Sequence, residues 1–73
     1  MYKCGDHVKV EFADEHSGES EWMWIEVDFS DDKKRLAFGK LDSQPVVHTH
    51  LKVGQELAVS YDNIRDHRRF HKS

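Results

Sequence analysis

Apolar and polar residues alternate with a period of two in four stretches of this chain. Val8, Val10 and Phe12 alternate with Lys9 and Glu11. Over 21–29, Met23, Ile25, Val27 and Phe29 fall on one side, with Trp22, Trp24, Glu26 and Asp28 on the other. Leu36 and Phe38 alternate with Arg35, Ala37 and Gly39, and Leu57, Val59 and Tyr61 share a side further on. Successive side chains of a strand point to opposite faces, so the pattern predicts half-buried strands near 7–13, 21–29, 35–41 and 56–61. The residues at 46–51 read as extended, a short edge strand after Pro45. A glycine inside a strand, as at Gly39, predicts a bulge or tight coil.

A short phrase occurs twice. Lys3-Cys4-Gly5-Asp6-His7-Val8-Lys9-Val10 aligns with Lys52-Val53-Gly54-Gln55-Glu56-Leu57-Ala58-Val59. Each is a basic residue, an apolar one, a turn glycine, a polar residue and then an alternating strand. Glycine reaches positive φ without a Cβ clash, so each phrase predicts a sharp turn into a strand. Asp62 or Asn63 is expected to cap a single helical turn through Ile64 and Asp66. The fold class is all-β. The expectation is a small antiparallel SH3-like barrel, or a strongly curved sheet of about four to six short strands, with one C-terminal helical turn. Residues 1–66 form one domain, and 67–73 read as a polar, basic, frayed tail.

Size sharpens this picture. A chain of 73 residues supports one domain. A domain near 60 residues buries only about 60% of its unfolded surface. At 37% hydrophobic content, nearly every large apolar residue is needed for the core. A monomer is expected. One cysteine excludes an internal disulfide and suits a reducing compartment. The longest apolar run, Trp22-Met23-Trp24-Ile25, is too short to span a membrane, and the start has no apolar signal region. The expectation is therefore cytoplasmic, without membrane attachment. The net charge of −3 is uneven. Residues 1–32 carry ten Asp and Glu against two Lys, whereas 33–73 carry nine Lys and Arg against four Asp and Glu. Two such halves can complement each other in one fold or leave a basic face for an anionic partner.

The series Glu21-x-x-Trp24-Ile25-x-Val27, Gly39-x-Leu41, Pro45, Leu51-x-Val53-Gly54-Gln55-x-Leu57-x-Val59 and Ile64-x-Asp66 resembles the YegJ-like family of small bacterial domains of unknown function. The resemblance runs from about Glu19 to His67. It departs at Gln55, where the family usually has Asp, and at His67, where it often has Trp. It implies a bacterial, β-rich, cytoplasmic module and brings no reaction with it.

Candidate chemistry follows from the same residues. If Met23, Ile25 and Val27 face the core, Trp22 and Trp24 point outward beside Glu26 and Asp28. Exposed neighbouring aromatics mark a protein-binding surface. The competing outcome is that the C-terminal residues, Ile64 and Phe70 among them, fold over the indoles. Arg65, Arg68, Arg69, Phe70 and Lys72 give a second candidate, a basic and aromatic segment for nucleic acid. The acidic first half opposes that reading. His48-Thr49-His50, and His67 with His71 at i,i+4, suggest metal ligands, but a site needs three or four converging donors. No metal and no cofactor are expected. Cys4 and His7 are poor nucleophile and base, because i and i+3 lie on opposite sides of a strand; a buried cysteine is expected instead. Glu19, Glu21, Glu26 and Asp28 read as a solvated acidic face. The chain is thus expected to be non-enzymatic, a protein-interaction module with an unknown partner. Nucleic-acid binding is the alternative, and a metal or enzymatic role comes last.

Overall fold

The structure is a computed structural model that describes residues 2–13 and 16–69. Five antiparallel strands form one sheet: β1 (His7–Ala13), β2 (Ser20–Asp31), β3 (Leu36–Leu41), β4 (Glu56–Ser60) and β5 (Ile64–Arg68). A single 3-10 turn (Tyr61–Asn63) joins β4 to β5. The strand order is β4-β3-β2-β1-β5, and no α-helix occurs among the described residues. The all-β class and four of the strands, β1 to β4, agree with the alternation in the sequence; β5 falls where a helical turn and a tail were expected.

The sheet is open. Ser60, ending β4, pairs with Leu36 of β3, while Ile64, starting β5, pairs with Val10 of β1. The last two strands are therefore bound to opposite sides of the sheet, and β4 and β5 remain its edges. A single sheet of five short strands is present; the closed barrel that was expected is not. Three local expectations also change. Residues 46–51 form bends and turns, not a strand. The helical turn is capped by Ser60, whose Oγ accepts the Asp62 N–H, and ends at Asn63. His67 and Arg68 belong to β5, held in register opposite Val8 and His7, not to a tail.

The repeated phrase folds into the same turn twice. The Asp6 N–H donates to the Lys3 carbonyl at 3.0 Å, and the Gln55 N–H to the Lys52 carbonyl at 3.0 Å. Each polar side chain then bonds back: Asp6 accepts the Lys3 N–H at 3.1 Å, and Gln55 accepts the Lys52 N–H at 3.0 Å. Gly5 and Gly54 take φ of 92° and 87°. Their N–H groups donate to Val27 of β2 and Leu41 of β3. An amide oxygen in Gln55 serves as well as the Asp6 carboxylate, because both only need to accept.

The faces of β2 and β3 are set by one irregularity. Met23, Ile25 and Val27 are buried, as the alternation predicts. The register between β2 and β3 then shifts between Val27 and Phe29. Asp28 is the extra residue, so Phe29 turns outward and is 55% exposed. It stacks on Phe38 with centroids 4.7 Å apart. On β3 the inward residues are consequently Ala37 and Leu41, while Leu36 and Phe38 stay half-buried on the outer face. Gly39 lies opposite Val27, and a Cβ there would sit 2.2 Å from the Glu26 carbonyl oxygen. The bulge that Gly39 suggests is present, and only glycine permits this approach.

Val8 and Val10 of β1, Val59 of β4 and the ring of Tyr61 complete the core. The Tyr61 hydroxyl donates to Asp32 at 2.6 Å, which holds the Asp32 carboxyl below its usual range. Burial, reinforced by Asp32, pushes the phenol up. Arg35 closes the β2–β3 turn at φ 55°, and its guanidinium reaches Asp62 at 3.1 Å.

Gly39→Ala is expected to destabilise the domain by at least about 1–3 kcal/mol, because the obstructing atom is backbone and cannot rotate away. Ile25→Ala, at a fully buried position, should cost about 2–5 kcal/mol. Urea unfolding midpoints check both. An unchanged midpoint for Gly39→Ala would contradict the β2–β3 register.

Candidate functional site

Strand pairing places the tryptophans on the outer face. Trp24 lies opposite Lys9, and Trp22 opposite Glu11. Trp22 is 55% exposed, and Trp24 is half-buried by its neighbours on the same face, not by the core. The Lys9 ammonium sits 5.3 Å from the Trp24 ring centre and 5.8 Å from that of Trp22. The Arg68 guanidinium lies 5.3 Å from the Trp24 ring. Cations at these distances are attracted by the ring quadrupole. Arg68 and Trp24, expected in two rival sites, therefore form one surface.

The remaining candidates divide. Glu26 is exposed on the same face, opposite Lys40 of β3 and 3.9 Å from His7, whose Nε2 lies 3.1 Å from Asp42. Asp28, at the bulge, meets Glu56 and not the indoles. A hydrogen bond between these two carboxyls, with their mutual repulsion, raises the Glu56 carboxyl above its usual range; Lys40 opposes the rise. Arg65 donates from Nε to Glu11 at 2.9 Å and from Nη1 to the Asp62 carbonyl at 2.6 Å. The first bond holds the Glu11 carboxyl low. Arg69 is exposed. Phe70 and Lys72 lie outside the described residues.

The histidines separate in the same way. His67 Nε2 lies 2.9 Å from the buried carboxylate of Asp6, and His71 lies outside the described residues. The His48 and His50 rings are 5.9 Å apart. Among the described residues, no group of three or more His, Cys, Asp and Glu side chains is placed to hold a metal ion. Cys4 is exposed, not buried, because it sits in the turn that precedes β1 instead of on a strand face.

Glu21 is the residue that the sequence reading misplaced. Its side chain is only 11% exposed, not part of a solvated face. The carboxylate accepts the backbone N–H groups of Val46, Val47 and His48, and lies 3.2 Å from His48 Nδ1. These bonds, the His48 N–H foremost, outweigh the cost of burial and hold the carboxyl down to about 2. One carboxylate thus fastens the β3–β4 connection to β2. Ser43 adds a second tie, its Oγ accepting the Trp24 N–H at 2.9 Å. The signal was available in the alternation. Glu21 shares its parity with Met23, Ile25 and Val27, so it starts the inward side of β2.

Beside this tie lies a cleft of about 450 Å³, lined by Phe12, His48, His50, Leu51, Asn63 and the Glu11–Arg65 pair. His48 is buried, and its ring packs 6.1 Å from that of Phe12.

The carboxyl of Glu21 is depressed in the folded chain, so its contribution is present above its ordinary value near 4.5 and is lost as pH falls from there toward about 2. Urea stability measured across that window should drop for the wild type and drop less for Glu21→Gln. Glu21→Ala, which removes the acceptor from the partly buried N–H groups of Val47 and His48, should cost about 1–3 kcal/mol at neutral pH.

A family model described as an uncharacterized protein conserved in bacteria (DUF2314) matches residues 4–73. No curated protein and no solved structure gives a match.

Proposed function

This chain belongs to the uncharacterised bacterial protein family DUF2314, and we propose that it is a non-enzymatic, monomeric protein-interaction module of the cytoplasm whose binding surface is the outer sheet face around Trp22 and Trp24. The observation that carries this reading is the exposure of Trp22 beside a Trp24 ring flanked by Lys9 and Arg68. Indoles offer large, rigid contact area at low entropic cost and dominate many interfaces. The cations on them favour a partner segment that carries acidic together with apolar side chains. Glu26 lies at the margin of this surface, and Asp28 outside it. The order Glu21-x-x-Trp24-Ile25-x-Val27 supports the YegJ-like resemblance within the family. A meander of four strands, with a fifth returning beside β1 through a 3-10 turn, supports reading the open sheet as an SH3-like arrangement.

Nucleic-acid binding is the second reading. Arg68 and Arg69 favour it, but Arg65 is engaged by Glu11. Stacked Trp24 and Arg68 would also suit an exposed base.

Titration of labelled protein with extended peptides separates the two. Acidic, aromatic peptides should shift the indole N–H signals of Trp22 and Trp24. Trp22→Ala should weaken binding by about 30-fold, the scale of a central interface aromatic. Basic peptides should bind less well. If the peptides leave the indoles unmoved, while single-stranded oligonucleotides bind with a steep salt slope that Arg68→Ala with Arg69→Ala removes, the second reading replaces the first.

A further inference from the structure

The two edges of the open sheet are finished differently. At β5 the register against β1 shifts between Lys9 and Val10, which makes Arg65 an extra residue. Arg65, Asp66 and Arg68 are exposed there, and the Asp66 carboxylate accepts the His67 N–H at 2.7 Å. Bulges and charges are devices that keep a sheet edge from pairing. β4 runs opposite β3 without a shift, and beyond its first residue, Glu56, it carries no charge.

Backbone bonds fix which way β4 aims its polar groups. The Leu41 N–H donates to the Gln55 carbonyl and the Tyr61 N–H to the Arg35 carbonyl, each at 2.9 Å. Both bonds continue the register in which Gly39 lies opposite Leu57 and Ala37 opposite Val59. Bonded and non-bonded pairs alternate along an antiparallel ladder, so Leu57 and Val59 bond to β3. The N–H and C=O of Glu56 and Ala58 therefore point away from β3, on the side where the sheet ends. Both residues are exposed.

Two rows of the outer face end at this edge and define what a sixth strand must carry. Phe29, Phe38 and Ala58 form one row, two stacked rings followed by a bare methyl. The other runs Arg68, His7, Glu26, Lys40, Glu56. In it Lys40 is shared between the carboxylates on either side. Asp28 crowds Glu56 further, through the bond and repulsion that raise the Glu56 carboxyl. A cation opposite Glu56 continues the alternation of charge, and an apolar side chain opposite Ala58 continues the aromatic row. We infer that the free edge of β4 receives an extended segment of a partner protein as a sixth, antiparallel strand, with a large apolar side chain opposite Ala58 and a lysine or arginine opposite Glu56. A second copy of β4, paired symmetrically about Ala58, sets Ser60 opposite Glu56 and supplies no cation. The site is separate from the tryptophan surface, which spans β2, β1 and β5.

A capped peptide with threonine, valine, phenylalanine, valine and lysine at its centre, in that order, tests this. Bound antiparallel, it sets threonine opposite Ser60, phenylalanine opposite Ala58 and lysine opposite Glu56. Titrated into the labelled full chain, it should shift the Glu56 and Ala58 amide signals and slow their hydrogen exchange, with the indole signals of Trp22 and Trp24 unmoved. Glutamate in place of the lysine should weaken binding by about tenfold, because like charges then lie opposite each other. Ala58→Pro removes an outward N–H and no β3–β4 bond, so it should abolish binding and leave the ladder intact. A peptide N-methylated at its phenylalanine should also fail to bind, which tests the same bonds if Ala58→Pro does not fold. Unchanged exchange at Glu56 and Ala58 overturns the inference, whatever the indoles do. So does equal affinity for the lysine and glutamate peptides, or for the N-methylated one. A concentration-dependent dimer of the free chain that Ala58→Pro dissolves gives the edge to a second copy and overturns it as well.

Discussion

The carboxylate of Glu21 joins the long β3–β4 connection to the sheet, and much else depends on that bond. Val46, Val47 and His48 offer three successive N–H groups from a segment without secondary structure, and those of Val47 and His48 are partly withdrawn from water and need partners. Glu21 supplies one acceptor for all three, from the inward side of β2. With the connection held there, Leu51 packs on the core, His48 is buried against Phe12, and Ser43 reaches the backbone of Trp24. The charge is tolerable in a nearly closed site because charge-assisted bonds replace its hydration. The same bonds give the His48 ring its orientation.

A second constraint decides which residues face outward. The extra residue at Asp28 changes the parity of β2 partway along, so one strand serves two patterns. Before the bulge, Trp22 and Trp24 are outside and Met23 and Ile25 inside; after it, Phe29 is outside. Gly39 makes the bulge possible by letting β3 approach the Glu26 carbonyl. The outer face thereby carries two aromatic groups, the tryptophans near β1 and β5 and the Phe29–Phe38 stack near β3. Between them runs the row of His7, Glu26, Lys40 and Glu56.

The two glycine turns show how far a local phrase can reach. Both place a positive-φ glycine against a neighbouring strand and both bond the same four backbone and side-chain groups. The phrase occurs twice because the sheet needs a strand started in the same way twice, beside β2 and beside β3. In one copy the polar residue is Asp6, which also meets His67 of β5; in the other it is Gln55, exposed at the β4 edge. Identical local chemistry thus takes different tertiary work.

What the sequence determined alone was everything that depends on neighbours along the chain. Period-two alternation located the four main strands, and paired glycines located the turns into β1 and β4. Gly39 pointed to the bulge, and parity set Trp22 and Trp24 opposite Met23 and Ile25 without deciding whether the indoles are covered. The tertiary structure decided what depends on residues far apart. The inward parity of Glu21 was legible, but its ligands lie some 25 residues on, at Val46, Val47 and His48. The strand character of 64–68 has almost no alternation to announce it and comes from the free edge of β1. Phe29 alternates correctly and still faces water, because the register shift is a property of two strands together. Alternation records which side of its own strand a residue occupies; register and long-range hydrogen bonds decide what lies on that side.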